Sequence, residues 1–285
     1  MDKRKLRILI RHKAAMIGLA MLALFVLMAL CIGFLSSYDP AITVGTERLG
    51  PTGDHLLGTD WMGRDIFTRI FYAARLSLFI GLACIAVSAL VGIPLGAIAG
   101  YFGGWLDFLI SRLIDLMLSF PSILLAICIA AAMGQGTGTV IIAVGIVGIP
   151  QFARQVRASV LTLREQDFVQ ASRALGAGHT RILFLNILPN ATGPLIVLGT
   201  LSVGTAILSA AGLSFLGLGV ETGTIEWGAM LHDGYNDWRT APSLAICSGL
   251  AISLTVLGFN LFGDGLRDAL DPRSTEQKLD FGAAY

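Results

Sequence analysis

The sequence predicts an all-α membrane protein with six transmembrane helices. Hydrophobic residues occupy 55% of the 285 positions and charged residues only 14%. A water-soluble domain of this size cannot bury so much apolar surface, so lipid is the expected solvent. Six apolar runs are long enough to cross a bilayer, at residues 14–35, 75–100, 105–133, 136–152, 191–219 and 243–263. The net charge of +1 gives no basis for a nucleic-acid partner.

The first run follows a basic N-terminal tail, as the apolar core of a signal peptide would. About 22 residues exceed the roughly 7 to 15 of a cleavable signal and suit a bilayer of about 30 Å. We therefore predict a retained first span. The four cysteines each lie alone in a different apolar run, so we expect reduced thiols and no metal site built on them.

The distribution of positive charge predicts the orientation. Six spans place both termini on one side of the membrane. Basic residues are concentrated in the two tails and in the 153–190 loop, whereas the remaining connections carry five arginines against nine acidic residues. By the positive-inside rule, both termini and this loop are expected to be cytoplasmic. The tryptophans of the outer connections, Trp61, Trp227 and Trp238, are expected at the membrane interface.

The second run carries a small residue at every fourth position, Ser88, Gly92, Gly96 and Gly100. Such a stripe predicts close packing against a neighbouring helix, although a groove facing the solute is an open alternative. Pro94 in the same run is a candidate kink.

The third run is too long for the bilayer alone, since about 29 helical residues extend roughly 43 Å. Its first turns carry Asp107, Arg112 and Asp115, which we expect to project into the cytoplasm. Arg112 and Asp115 are three residues apart and can pair on one helix face. These three residues are candidate gating or structural ion pairs, and Pro121 is expected to kink the helix where it enters the membrane.

The extracytoplasmic connections hold acidic residues and histidines. His55, Asp60 and Asp65 are spaced five apart, which does not align metal ligands on one helix face, so we predict no metal site. A structured outer segment is expected instead. The acidic last connection contains Glu221, Glu226, Asp233 and Asp237. It is either solvated or a contact for a soluble protein.

The chemistry of an enzyme is missing from the sequence. All four lysines, at positions 3, 5, 13 and 278, lack a preceding glycine, so there is no Gly-Lys-Ser/Thr phosphate loop for ATP. The spans offer no ionisable group near mid-membrane for proton coupling. We therefore expect a non-enzymatic passage whose energy source lies in a partner.

The 164–189 loop is the main candidate for that contact. Phe168, Ala171, Ala174 and Leu175 recur at helical spacing, and Gly176 and Gly178 then interrupt the helix. A second short helix is expected over residues 181–187, ended by Leu188-Pro189. Two short helices meeting at a glycine form a compact knob that can fill a groove in a soluble protein.

The loop resembles the EAA loop of ATP-binding-cassette (ABC) importer permeases. The similarity lies in Gln170-Ala171-Ser172, Gly176 and Ile187-Leu188-Pro189, with departures at Gln170, where the motif has glutamate, and at Asn186, where it has isoleucine. Further motifs resemble the C-type permease subunit of the dipeptide, oligopeptide and nickel branch, over about residues 36–273. They are Leu57-Gly58-Thr59-Asp60, Gly63-Arg64-Asp65, Gly103-Gly104, Asp107, Ser214 to Gly219, Glu226-Trp227-Gly228, Gly263-Asp264 and Asp271-Pro272.

The resemblance implies the fold of a binding-protein-dependent ABC importer permease of type I, in the bacterial inner membrane. It also implies a homologous second permease, two ABC ATPase subunits that use ATP and Mg, and an extracytoplasmic solute-binding protein. This chain itself would bind no cofactor. The implied solutes are di- and oligopeptides, with nickel or a metal chelate as the alternative. His55 and His232 are weak support for the metal.

The implied organisation has four parts. A tail and first span occupy residues 1–35, an extracytoplasmic segment 36–74, the permease core 75–265 and a cytoplasmic tail 266–285. The residues expected at the ATPase contact all lie in the loop: Gln170, Ala171, Ser172, Arg173, Ala174, Gly176, His179, Arg181, Leu188 and Pro189.

Overall fold

The protein is described here by a computed structural model over residues 3–270, and it is all-helical in this range apart from one isolated bridge, between Thr59 and Asp65. The α-helices are α1 (Lys3–Arg11), α2 (Lys13–Leu35), α3 (Ile66–Phe102), α4 (Gly104–Leu118), α5 (Ser122–Met133), α6 (Thr137–Leu163), α7 (Asp167–Ala174), α8 (His179–Arg181), α9 (Leu188–Phe215), α10 (Trp227–Asn236) and α11 (Ser243–Leu270). A π-helix (Ile182–Ile187) joins α8 to α9. The basic tail residues Arg273 and Lys278 and the motif Asp271-Pro272 lie outside the described residues.

The predicted all-α membrane fold is confirmed. Five helical stretches are long and apolar enough to span a membrane, and α4 with α5 forms a sixth candidate that bends by 89° at its break. The third span was expected as one helix with a kink at Pro121. Instead, the helix ends at Leu118 and restarts at Ser122, because Pro121 cannot continue the hydrogen-bonding pattern.

Two other boundaries differ from the expectation. The second span begins at Ile66, well before residue 75, because Asp65 caps it by accepting a hydrogen bond from the Thr68 amide at 2.8 Å. The loop's second helix was expected to stop at Leu188-Pro189. That prediction is wrong: α8, the π-helix and α9 form one rod of 37 residues. Pro189 lies in the first turn of α9, directly after the π-helical turn, and the rod continues through it.

Helices α3 and α6 form the tightest contact, and the stripe of small residues lies in it. Gly92 packs on Ile149 and Phe152, while Gly100 packs on the next turns of α6; a Cβ there would come within 2.9 Å of the Arg157 carbonyl oxygen. Ser88 donates a hydrogen bond to the Gly145 carbonyl at 2.7 Å. The close-packing interpretation of the stripe is therefore confirmed, and the groove alternative is wrong for these residues.

Helix α2 packs on α11 at the edge of the bundle. Gly18 lies so close to the Gly258 carbonyl oxygen that an added Cβ would be 2.6 Å from it. His12 caps α2 by accepting from the Ala15 amide, and its Nε2 lies 3.3 Å from Asp268. The first described helices and the end of α11 therefore lie at the same end of the bundle as the 164–178 connection, here called the loop end. The 36–65 segment lies at the opposite end.

Candidate functional site

The short first helix and the glycine turn predicted for the loop are present, but a long rod takes the place of the predicted second short helix. Helix α7 with this turn is here called the knob. Helix α7 ends at Ala174, and Gly176, two residues later, adopts a φ of 78°, a conformation that favours glycine. The Gly176 amide bonds to the Arg173 carbonyl and the Ala177 amide to the Ser172 carbonyl, at 3.0 and 3.1 Å. This pair of bonds is a Schellman motif, which satisfies the last carbonyls of α7 and turns the chain toward α8.

One side chain fixes α7 to the rest of the bundle. Val169 is fully buried, in a cluster with Val156 and Val160 of α6 and with residues of the π-helix. The stripe identified in the sequence lies on the opposite, exposed side: Phe168 is 42% and Leu175 88% exposed, and Ala171 and Ala174 are exposed between them. Exposed apolar side chains on a polar connection are typical of a surface that a protein partner covers.

Polar contacts within the loop hold the two helices together. The Ser172 hydroxyl donates to the Phe168 carbonyl at 2.9 Å and accepts from the Asn186 side-chain amide at 2.8 Å. Asn186, noted in the sequence only as a departure from the motif, therefore ties α7 to the π-helix. The Gln170 amide reaches the Arg164 carbonyl at 3.5 Å, and Gln170, Arg173, Gly176, Arg181 and Pro189 are exposed. Leu188 is partly buried.

His179 connects the loop to the end of α3. Its Nδ1 lies 2.9 Å from the Tyr101 hydroxyl, and its ring lies edge-on to Tyr101 at 5.7 Å and tilted against Phe102 at 6.2 Å. Sequence reasoning did not identify Tyr101. An aromatic residue at the end of a span is equally typical of an interfacial anchor, so only the fold reveals its partner.

Two ion pairs join α4 to α6 at the loop end. Arg157 binds Asp107 with two hydrogen bonds, at 2.5 and 2.7 Å, and Arg154 binds Asp115 at 2.7 Å. The expected pair of Arg112 with Asp115 does not form. Asp115 is taken by Arg154, and the Arg112 guanidinium stacks over the Phe108 ring at 5.3 Å. Local spacing within α4 could not identify partners from another helix.

At the opposite end, the predicted structured outer segment is held by buried charges. Asp60 accepts from Arg64 at 2.7 Å and lies 3.5 Å from Arg69, while His55 bonds to Asp65 at 2.9 Å. In residues 3–270, no three histidine, cysteine or acidic side chains are grouped to hold a metal. Burial raises the pKa of the nearby Asp233 above its ordinary value, although Arg69 and Arg64 act to lower it.

The connection between α9 and α11 is less exposed to solvent than one of the two predicted alternatives requires. Glu226 is buried, caps α10 through the Ala229 amide at 3.0 Å and accepts from the Ser77 hydroxyl at 3.1 Å. Trp227 was expected at the interface, but it is fully buried and donates to the Ile70 carbonyl at 2.9 Å. Trp61 and Trp238 remain exposed. A tryptophan next to a helix cap satisfies its N–H inside the fold, which composition alone does not reveal.

Comparison with protein families gives two matches. Residues 92–276 match the model described as "Binding-protein-dependent transport system inner membrane component", and residues 3–51 match the "N-terminal TM domain of oligopeptide transport permease C". The first match contains the loop, the α3–α6 contact from Gly92 onward and both ion pairs.

Similar curated proteins extend over almost the whole chain. The dipeptide transport system permease protein DppC of Alkalihalophilus pseudofirmus is 49% identical over 92% of this chain and 87% of its own length. The glutathione transport system permease protein GsiD of Pectobacterium atrosepticum is 45% identical over 94% and 89%. GsiD of Escherichia coli is 44% identical over 92% and 88%.

A solved structure has the same fold at low sequence identity. It is described as an inward-facing conformation of the MetNI methionine ABC transporter, and it superposes with a TM-score of 0.58 at 19% identity. The match covers 71% of this chain and 96% of that one. The predicted importer-permease fold is thereby confirmed.

Proposed function

The chain belongs to the family of binding-protein-dependent transport system inner membrane components, and from this premise we propose that it is the permease subunit of an ATP-driven importer of di- and oligopeptides. A homologous second permease would complete the translocation pathway. Two ABC ATPase subunits would bind below it, and a solute-binding protein would dock at the opposite face. This chain would bind no cofactor, and ATP with Mg would be used by the ATPases.

The loop is the observation that supports an ATPase partner. Its exposed apolar stripe from Phe168 to Leu175 lies on a helix that is held by buried Val169, a Schellman turn and the hydrogen bond from Asn186 to Ser172. A short, rigid, partly apolar helix projecting from a bundle suits helix-in-groove docking. Gln170 to Ala174, Gly176, His179 and Arg181 would form the contact surface, and Leu188 and Pro189 its base.

The charge distribution supports the orientation. The loop end combines the basic loop with the start of α2 and the end of α11, and by the positive-inside rule it would face the cytoplasm. The 36–65 segment and α10 would then face the binding protein. A reporter active only in the cytoplasm, fused at the N-terminus, tests this orientation.

ATP binding would draw the ATPases together and move the two docked loops. In this chain, motion of the loop would pass to α3 through the His179–Tyr101 bond and to α4 through α6 and the pair Arg157–Asp107. The pathway would then change from facing inward to facing outward, and the docked binding protein would release its solute into it.

Peptide is proposed ahead of nickel because the similar proteins described above are named for a dipeptide and for glutathione. The test is mass spectrometry of the solute retained by the binding protein that co-purifies with this subunit from its native membrane. Short peptides are the expected finding. A nickel chelate would refute the peptide assignment, and a complex without an ATPase would refute the importer assignment.

A further inference from the structure

A cleft of about 430 Å³ lies where the break between α4 and α5 meets α6. It is lined by Leu118, Ser122, Val147, Gln151, Arg154 and Gln155. The last three lie within about one helical turn of each other, at positions i, i+3 and i+4 of one face of α6. Gln151 and Arg154 are exposed, and among the described residues neither glutamine side chain has a hydrogen-bonding partner within the chain.

The polar side chains of Gln151, Arg154 and Gln155 begin earlier along α6 than is usual for a helix that faces lipid. The apolar part of α6, residues 137–150, extends only about 21 Å at 1.5 Å per residue, whereas the hydrocarbon core is about 30 Å thick. Measured from Thr137, the first residue of α6, Gln151, Arg154 and Gln155 lie about 21 to 27 Å along the helix, which is within the thickness of that core and toward its loop end. Polar side chains at such depth face protein or a water-filled space, since lipid satisfies none of their hydrogen bonds.

The opposite wall of the cleft supports the same conclusion. Residues 119–121 leave the helical conformation between α4 and α5, and Ser119 to Ser122 are exposed. Non-helical backbone at membrane depth is tolerated where it is buried in protein or lines a water-filled cavity. Two independent features, an interrupted helix and unpaired amides, therefore meet across one cleft.

We propose that this cleft is a solvated binding station for peptide on this subunit's side of the translocation pathway. The proposal rests on the proposed function of peptide import. A glutamine carboxamide both donates and accepts, so Gln151 and Gln155 can pair with the N–H and C=O groups of any peptide backbone without contacting its side chains. The volume is in the range of sites that hold small-molecule ligands, which favours short peptides.

Arg154 gives the station a charged edge. The Arg154 side chain is 57% exposed and bonds to Asp115, whose side chain is 51% exposed, so the pair lies at the mouth of the cleft. An exposed ion pair is worth roughly 1 kcal/mol or less. A peptide C-terminal carboxylate can therefore replace Asp115 on Arg154, and the peptide would be held at its terminus and along its backbone.

Accessibility of single cysteines tests the solvated cleft. Cys31, Cys84, Cys128 and Cys247 are first replaced by alanine or serine in the assembled complex, and this parent must still import dipeptide. Gln151→Cys and Gln155→Cys are then treated in membranes with a charged, membrane-impermeant thiol reagent from each side. Leu90→Cys is the control, because Leu90 is 75% exposed and two residues from Gly92, which packs on Ile149 and Phe152 at the depth of Gln151.

We expect labelling at both glutamine positions, none at Leu90→Cys, and loss of dipeptide uptake on labelling. Dipeptide in excess should slow labelling at least about fivefold. The proposal would be refuted if the cysteines at positions 151 and 155 were not labelled, or were labelled no more than Leu90→Cys. It would also be refuted if their labelling left uptake intact. Failure of the wild-type complex to import peptide would instead refute the proposed function, so the two failures are distinguishable.

Gln151→Leu and Gln155→Leu give a second measurement. The complex should assemble in normal amounts, while uptake at low dipeptide concentration should fall about five- to tenfold, since a hydrogen bond to the peptide is lost. Normal uptake by both variants would overturn the assignment of peptide contacts.

Discussion

Tyr101 and His179 are 78 positions apart in the sequence, and their side chains meet at 2.9 Å between the hydroxyl and Nδ1. The bond joins the last turn of α3 to the first residue of α8, where the loop returns to the bundle. It is therefore a direct connection between the knob and a span that contacts α6 along its length.

Tyr101→Phe should weaken coupling while leaving the fold intact. The ring that packs on His179 is kept, and only a hydrogen bond worth about 1 kcal/mol is lost. We expect about a fivefold smaller stimulation of ATPase activity by the loaded binding protein. Tyr72→Phe is the matched control, because no hydrogen bond of the Tyr72 hydroxyl is found in the described residues. Equal stimulation in both variants would argue against this connection.

Gly176→Val should uncouple transport from ATP hydrolysis. A β-branched residue at a φ of 78° costs about 1–2 kcal/mol, and no neighbouring atom lies within 4 Å of the added Cβ, so the effect is purely on the backbone. Gly178→Val is the control: that glycine also has open space but a φ of −69°. The measurement is uptake with ATPase activity in the assembled complex, and similar values for the two variants would contradict the prediction.

Gly96→Ala should lower the stability of the membrane bundle. Its added Cβ would overlap the Ala153 carbonyl and lie 2.9 Å from the Val156 Cβ, and overpacking of this kind costs about 1–3 kcal/mol. Gly193→Ala, in a helix with open space around it, should instead be neutral or gain about 0.5–1 kcal/mol. Thermal unfolding of the detergent-solubilised protein compares the two. A lower melting temperature for Gly193→Ala than for Gly96→Ala would refute the packing argument.

The ion pair between Asp107 and Arg157 should support uptake through the contact between the two side chains, and not through either charge alone. Asp107→Arg and Arg157→Asp each leave two like charges opposed, and each should reduce uptake. The double exchange should restore more than half of the loss, because the contact of roughly 1 kcal/mol is re-formed. Asp115→Asn, which breaks the more exposed pair, is a control for stability only. Additive losses in the double variant would show that the two residues act separately.

The sequence contained enough information for the spans, their packing stripe and the turn of the loop. Apolar runs, a small residue at every fourth position and a glycine after a short helix each have a local physical cause. The bend at residues 119–121 was anticipated only as a kink, because Pro121 predicts an interruption and not its angle of 89°.

Contacts between distant helices were not predictable in this way. Arg157 and Asp107 are 50 residues apart, and a single sequence does not state which helix face meets which. The continuity of the rod through Pro189 was missed for a different reason. Proline stops a helix when it would follow a regular turn, but here a π-helical turn precedes it and the next helix begins at that point.

The uninterrupted C-terminal part of α6 connects the cleft mechanically to the loop. Between Gln151 and Leu163 it contains neither proline nor glycine, so about 18 Å of uninterrupted helix runs from Gln151 in the cleft to the start of the loop. Pro150 lies directly before this segment, and it is the point at which the helix is expected to bend. A small tilt of this segment would therefore displace Arg154 and Gln155 in proportion to their distance from Pro150. Movement of the loop by an ATPase would then change the proposed peptide site, although the ATPase does not contact the peptide.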